Sequence, residues 1–345
     1  MYSLILKAMN TTDFARYLTG FLSGYLPHER GYSPNTISAY RDTFVHFLTF
    51  VSRIKHIKAE KLDMKSITKT LIVEFLDWLQ TERKNSATTR NHRLAALHSF
   101  FKYMQYQDPD NLCGYQEILS IKTKKTKGRT LNYLTIDGIK LLLEQPDITT
   151  KRGCRDLALL SLMYDSGARV QEVIDLTPSN IRLEMPCTIK IRGKGNKSRI
   201  VPLLQQQVTI LRKYLNCFDL HKPHTKQYPL FSNGRLMKLT RAGVTYILQK
   251  YADKARKNNP GLIPSKISCH SLRCSKAMHL LQAGVNLVYI RDIPGHKSVQ
   301  TTEIYARADS KQKREAIEMA YVDVAPKEKP VWENNKNLLD WLKNL

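Results

Sequence analysis

The sequence predicts a mainly α-helical protein with a small β-sheet, an α+β chain in two domains. Three observations predict it. Four stretches over residues 1–107 repeat apolar residues at helical spacing, each opened by a residue suited to capping. A polar, basic segment over residues 108–130 then interrupts that pattern. Beyond it, helical stretches share residues 131–322 with two β-branched runs joined by a glycine-rich basic turn.

In chain order, Thr11 or Thr12 caps the first helix, TTDFARYLTGFLSGYL. Ser33-Pro34 opens the second, with proline in its first turn. Ser66 or Thr68 begins the third, TKTLIVEFLDWLQTERK, and Ser86 caps the fourth, ATTRNHRLAALHSFFKYMQY. Four helices with short connections make a small helical domain. On the fourth, Arg90 and Arg93 read either as a solvated face or as cations lying across DNA phosphates. Residues 108–130 read as an interdomain linker, whose Lys122, Lys124, Lys125 and Lys127 are candidates to follow a DNA backbone.

Past Leu131 come the helices IDGIKLLLEQ and RDLALLSLMYDSG. The strands CTIKIRG and SRIVPLL follow, joined at Gly193-Lys194-Gly195-Asn196-Lys197 as a hairpin with a basic tip. Four more helical stretches run to NLVYIRDI, and Arg241 opens one of them. Lys197, Arg199 and Arg241 join the candidate DNA contacts. In the tail, residues 323–345, NLLDWLKNL puts Leu338, Leu339, Trp341, Leu342 and Leu345 on a short apolar helix. That helix is too short to be stable alone in water, so it packs on its own domain or docks on a neighbouring subunit.

Charge narrows the function. The chain has 345 residues, 55 of them Lys or Arg against 30 Asp or Glu, a net charge of +25. A surplus of that size favours a polyanionic partner: DNA, RNA or an acidic membrane surface. No apolar run is long enough to make a membrane-spanning helix, and MYSLILKAMNTTDF does not read as a signal peptide. Six scattered cysteines without a CxxC pair suit reduced thiols in a cytosol, and no zinc-ligand spacing develops around Cys269 and Cys274.

Breaking a phosphodiester without a metal needs a nucleophile, cations on the non-bridging oxygens, and an acid for the leaving oxygen. Arginine grips phosphate bidentately and stays charged. His270 and Arg273 are spaced i, i+3, which puts both on one helix face. Arg169 has Glu172 at i+3, which alone would be a local salt bridge. Lys194 sits on the hairpin tip, with Lys197 and Arg199 as competitors for its role. His296 follows Gly295, and Tyr305 follows nine residues later.

The ordered set is far more specific than any member. Arg in GxRxxE, Lys in GKGxK, HxLR, Gly-His and then Tyr resembles the tyrosine recombinase, or phage integrase, family, with a two-domain layout of the Xer kind. RDLALLSLMYDSGAR, KSRIVPL and TTEIYAR extend the resemblance over nearly the whole chain. It implies an N-terminal SAM-like core-binding domain and a C-terminal catalytic domain that clamp DNA between them. It further implies that Arg169 and Arg273 bind the scissile phosphate and that Lys194 protonates the leaving 5′ oxygen. His270 assists proton transfer at the nucleophile, His296 hydrogen-bonds the phosphate, Tyr305 attacks it, and Glu172 orients Arg169. No metal and no cofactor are required. The implied partners are double-stranded DNA at a specific site, a homotetramer assembled through residues 332–345, and a second recombinase or accessory protein; no membrane is implied. The expected setting is a prokaryotic cytoplasm, at the nucleoid.

Two positions depart from the family's habit: Pro294 stands where leucine usually precedes Gly-His, and Cys274 where a second histidine often follows the HxLR arginine. These departures favour a mobile-element integrase or transposase. Housekeeping dimer resolution, a type IB topoisomerase and a catalytically silent DNA-binding protein are the alternatives.

Overall fold

The computed structural model describes residues 12–126, 132–193, 197–293, 295 and 338–343. The chain divides into two compact units, Met1–Arg129 and Thr130–Leu345.

In the first unit, α1 (Asp13–Gly20) is capped by Thr12, whose hydroxyl accepts the Ala15 N–H, and runs on into a π-helical stretch, Phe21–Glu29. Ser33 caps α2 (Pro34–Ile54), Thr68 caps α3 (Lys69–Thr81) and Ser86 caps α4 (Ala87–Gln107). Each cap satisfies one of the N–H groups a helix start leaves unpaired. Aromatic rings dominate the core. Phe100 lies with its centroid 5.2 Å from Phe44 and 5.3 Å from Phe21, both near edge-to-face, the geometry ring quadrupoles favour. Phe14, Phe47 and Phe75 extend the cluster between the helices.

The expected linker is only partly a linker. Residues Leu112–Leu119 form a further helix, α5, whose Tyr115 and Ile118 are buried in the same core with Ile121. The Tyr115 hydroxyl donates to Asp108 at 2.6 Å, and burial together with that neighbouring carboxylate raises the phenol's pKa far above its usual value. Burial of Tyr115, Ile118 and Ile121 outweighs the segment's overall polarity and attaches residues 112–121 to the first unit.

The second unit contains α6 (Ile136–Leu143), α7 (Lys151–Ser166), α8 (Val170–Ile174), α9 (Gln205–Cys217), α10 (Arg241–Asn258), α11 (Cys269–Gln282) and α12 (Leu287–Asp292). Helix α7 is central, with Leu159, Leu160 and Met163 fully buried, and it packs against α9 and α11. Strands β1 (Ile181–Arg182), β2 (Thr188–Arg192) and β3 (Ser198–Pro202) form an antiparallel sheet in that order. The register pairs Ile189 with Val201 and Ile191 with Arg199, so the core face of β3 carries Arg199 and Val201. Two α11 side chains grip the chain where it enters this unit: the Leu134 N–H donates to Ser275, and His279 Nε2 bonds the Leu134 carbonyl at 2.9 Å. A last short helix, α13, spans Leu338–Lys343. Among the described residues, no helix is long and apolar enough to cross a membrane.

Candidate active site

The site starts where α7 ends. Gly167 adopts φ +55°, the left-handed conformation that terminates a helix with little strain only at glycine. The chain then turns and re-enters helix at α8, with Arg169 at its N-cap. Glu172, in the first turn of α8, reaches back to accept the Arg169 N–H at 2.9 Å and the Arg169 guanidinium at 2.9 Å. A carboxylate at a helix N-terminus also meets the positive end of the helix dipole.

The Gly167 carbonyl accepts Arg273 Nη1 of α11 at 2.7 Å. Residues 106 positions apart in sequence are thereby tied together, two residues from Arg169. Arg273 is buried, whereas the Arg169 side chain is 45 % exposed. One guanidinium is fixed from within and the other keeps a solvent-facing edge. His270 occupies the first turn of α11, on the surface, one helical turn before Arg273.

Glu172 serves a second cation. Arg199 of β3 donates to its Oε2 at 2.7 Å. Burial pushes the Glu172 carboxyl upward, but hydrogen bonds and charge from Arg199 and Arg169 outweigh it and hold the group below the usual carboxylate range. Arg199 also donates through Nε to the Ile293 carbonyl at 2.9 Å, and Arg169 Nη2 donates to the Gly295 carbonyl at 3.2 Å.

Four expected site residues, Lys194, His296, Tyr305 and Lys127, lie outside the described residues, as does Pro294. The described part unites Arg169, Glu172, Arg273 and the backbone at Ile293 and Gly295. The candidate DNA contacts divide. Lys122, Lys125, Lys197 and Arg241 are exposed. Lys124 is held on the surface by Gln80 and Asp77, and Arg93 by the Ala39 carbonyl and Thr43.

Two candidates are largely enclosed. Arg90 is only 4 % exposed and donates to the Lys122 carbonyl, and its neighbour Asn91 bonds the Lys124 backbone, so the two brace residues 122–124 against α4. Arg199 is 15 % exposed and engaged inside through Nε and Nη2, because period-2 alternation turns position 199 to the same face as Val201. The alternation of Arg199 with Val201 in SRIVP is the sequence signal for this placement.

Comparison with known proteins agrees with this geometry. The phage integrase family matches residues 132–312, and the phage integrase N-terminal SAM-like domain matches residues 18–107. A putative integrase/recombinase of Sinorhizobium fredii is 34% identical over 305 residues, spanning 88% of this chain and 91% of the relative. The tyrosine recombinase XerD of Listeria monocytogenes is 32% identical, spanning 81% and 90%. Among solved structures, the XerH site-specific recombinase bound to its difH substrate in a pre-cleavage complex superposes with a TM-score of 0.65 at 26% identity, covering 87% of this chain and 84% of that one. The Tn1549 transposon integrase in complex with transposon right-end DNA shares the fold, with a TM-score of 0.67 at 15% identity over 88% and 98% of the two chains. The protein therefore belongs to the phage integrase family and is a tyrosine recombinase.

Proposed function

We propose that this recombinase cuts and rejoins duplex DNA at a specific site through a 3′-phosphotyrosyl intermediate on Tyr305. Arg169 and Arg273 hold the non-bridging oxygens of the scissile phosphate. Fixed cations there stabilise the charge that redistributes as phosphorus becomes five-coordinate. The Tyr305 oxygen attacks phosphorus and its proton passes towards His270. The bond from phosphorus to the 5′ oxygen breaks, and Lys194 supplies the proton that this oxygen takes up. His296 donates a hydrogen bond to the phosphate. A second strand's 5′ hydroxyl then displaces Tyr305, and the proton movements reverse. Each step exchanges one phosphate ester for another, so neither a nucleotide nor a metal has to supply energy.

The observation that carries this reading is the tie between Arg273 and the Gly167 carbonyl beside the Arg169–Glu172 pair. It gathers two guanidiniums from distant segments, one buried and one partly exposed. The test uses a plasmid carrying the DNA that flanks the gene and a second plasmid of unrelated sequence. Strand exchange on the first alone is expected, abolished by Tyr305→Phe. Relaxation of both plasmids would point to a topoisomerase. Binding without any covalent product would point to a silent DNA-binding protein.

The role we favour is that of a mobile-element integrase or transposase, on the departures at Pro294 and Cys274. The XerD relatives support a second reading, housekeeping resolution of chromosome or plasmid dimers. Terminal repeats beside the gene would favour the first, and a chromosomal setting with a cognate resolution site the second. We further infer a tetrameric synapse on two duplexes, with residues 332–345 passing to the neighbouring subunit. Deleting them should weaken synapsis while leaving binding of a single site intact; unchanged synapsis would refute that role.

A further inference from the structure

We propose that Arg199 is a positioning residue for catalysis: it ties Glu172 to the Ile293 carbonyl, so that Glu172 does not fully neutralise Arg169 and the backbone at Ile293 and Gly295 stays in place. The inference rests on the strand-transfer reading above.

The hydrogen bonds form a closed circuit. Arg199 Nη2 donates to Glu172 Oε2, and Glu172 in turn accepts both the backbone N–H and Nη1 of Arg169. Arg169 Nη2 donates to the Gly295 carbonyl, and Arg199 Nε donates to the Ile293 carbonyl two residues upstream. Three segments, β3, the start of α8 and the residues after α12, are therefore bound to one another through two guanidiniums and one carboxylate. Planar, fork-shaped donors suit such a junction, because a single Arg can hold two acceptors at fixed angles.

Gly295 shows how tightly the circuit is packed. It adopts φ +73°, and its N–H closes α12 by donating to the Arg291 and Asp292 carbonyls at 3.1 Å each. A Cβ at this position would lie 3.0 Å from Arg199 Nη1 and 3.2 Å from its Cδ and Cζ. The glycine of the Gly-His pair thus answers to two demands, a left-handed turn and the Arg199 guanidinium against it. Gly193, beside the hairpin tip, borders the same groups less closely: a Cβ there would make ordinary contacts, 3.4 Å from Glu172 Oε1 and 3.6 Å from Arg199 Nη1.

Charge gives the arrangement its chemical sense. Two guanidiniums share one carboxylate, so the trio carries one net positive charge. Arg199 is 15 % exposed and Arg169 45 %, so the surplus faces outward at Arg169. Without Arg199, Glu172 has one cation left and would neutralise Arg169 more fully. The Ile293 carbonyl would lose its anchor at the same time. Both effects act on cleavage, and neither requires Arg199 to touch DNA.

The test compares wild type, Arg199→Ala and Arg199→Lys on a nicked duplex bearing the site that wild type selects from a random-sequence library. Covalent adduct formation is timed at saturating DNA, binding is titrated across salt concentrations, and thermal melting checks folding. Misplacing a catalytic group by about 1 Å costs on the order of 100-fold in rate, so Arg199→Ala should slow cleavage by about that factor. Its affinity and the slope of affinity against salt should stay at wild-type values. Lysine keeps the charge but cannot span Glu172 and the Ile293 carbonyl with one fork. Arg199→Lys should therefore bind and fold as wild type does, yet cleave at least about tenfold more slowly. Should Arg199→Ala fail to fold, Arg199→Lys alone carries the decision. Wild-type cleavage by either folded variant overturns the proposal. So does a fall of about one in the salt slope, the mark of a lost phosphate contact. If wild type itself forms no adduct, the strand-transfer reading fails instead.

Discussion

The two units place their charged side chains differently. In the first, the described interior is almost wholly apolar and aromatic, and the deeply buried cation among its described residues, Arg90, braces a neighbouring backbone. In the second, Glu172, Arg273, Asp156 and His279 are all buried, and each is bonded to a partner. Burying a charge is costly unless it is paired and hydrogen-bonded, so such groups mark where a fold gives up stability for position. The first unit is built to hold a shape. The second is built to hold particular nitrogens and oxygens at particular places. Substitutions should therefore fail differently in the two.

The largest contrast is expected at Arg273. Arg273→Ala should lower single-turnover cleavage by about 10²–10³-fold, the usual loss when a fixed donor to a developing charge is removed, while duplex binding persists. Timed adduct formation checks it; parallel losses of binding and cleavage would make Arg273 a mere affinity contact. Phe100→Ala should do the reverse. It empties the centre of the aromatic cluster and should cost about 3–5 kcal/mol of stability, read by urea unfolding, leaving the chemistry of the folded fraction intact.

Glu172 sharpens the comparison through pH. Its folded pKa is lowered, so the stability it contributes is full above the ordinary Glu value of 4.5 and is lost as pH falls through the lower folded value. Glu172→Gln should flatten that part of the acid unfolding limb, measured by thermal melts between pH 3 and pH 6 on the order of half a unit apart. An unchanged limb would mean that the carboxylate is not the linked group. The smallest effect belongs to the exposed lysines. Lys125→Ala should lower the salt slope of DNA binding by about one, whereas buried Arg90→Met should leave the slope unchanged. Equal slopes for both variants would remove the distinction between brace and contact.

Much of this was legible in the chain. Thr12, Ser33, Thr68 and Ser86 are local signals, because a capping hydroxyl needs only its own helix. The hairpin strands showed in their β-branched residues. Helix α5 was hidden because its two core residues, Tyr115 and Ile118, follow Gly114 directly and share a short segment with Gln116 and Glu117. Helix α8 and strand β1, at five and two residues, are too short to show a period. The pairing of Arg169 with Glu172 could be read from i, i+3 spacing, but the ties to Arg199, Ile293 and Gly295 could not, since they join segments far apart in sequence. Composition counted Arg90 and Arg199 among the surface cations. Burial settles otherwise, and burial depends on the finished packing.

The central claim, strand cleavage through a tyrosyl ester, is tested most directly by trapping the protein on a nicked duplex of its own site and mapping the DNA-linked peptide by mass spectrometry. The account predicts one adduct, through the Tyr305 oxygen to a 3′ phosphate, and none with Tyr305→Phe. An adduct on another side chain, or tight site-specific binding with no adduct at all, would contradict it.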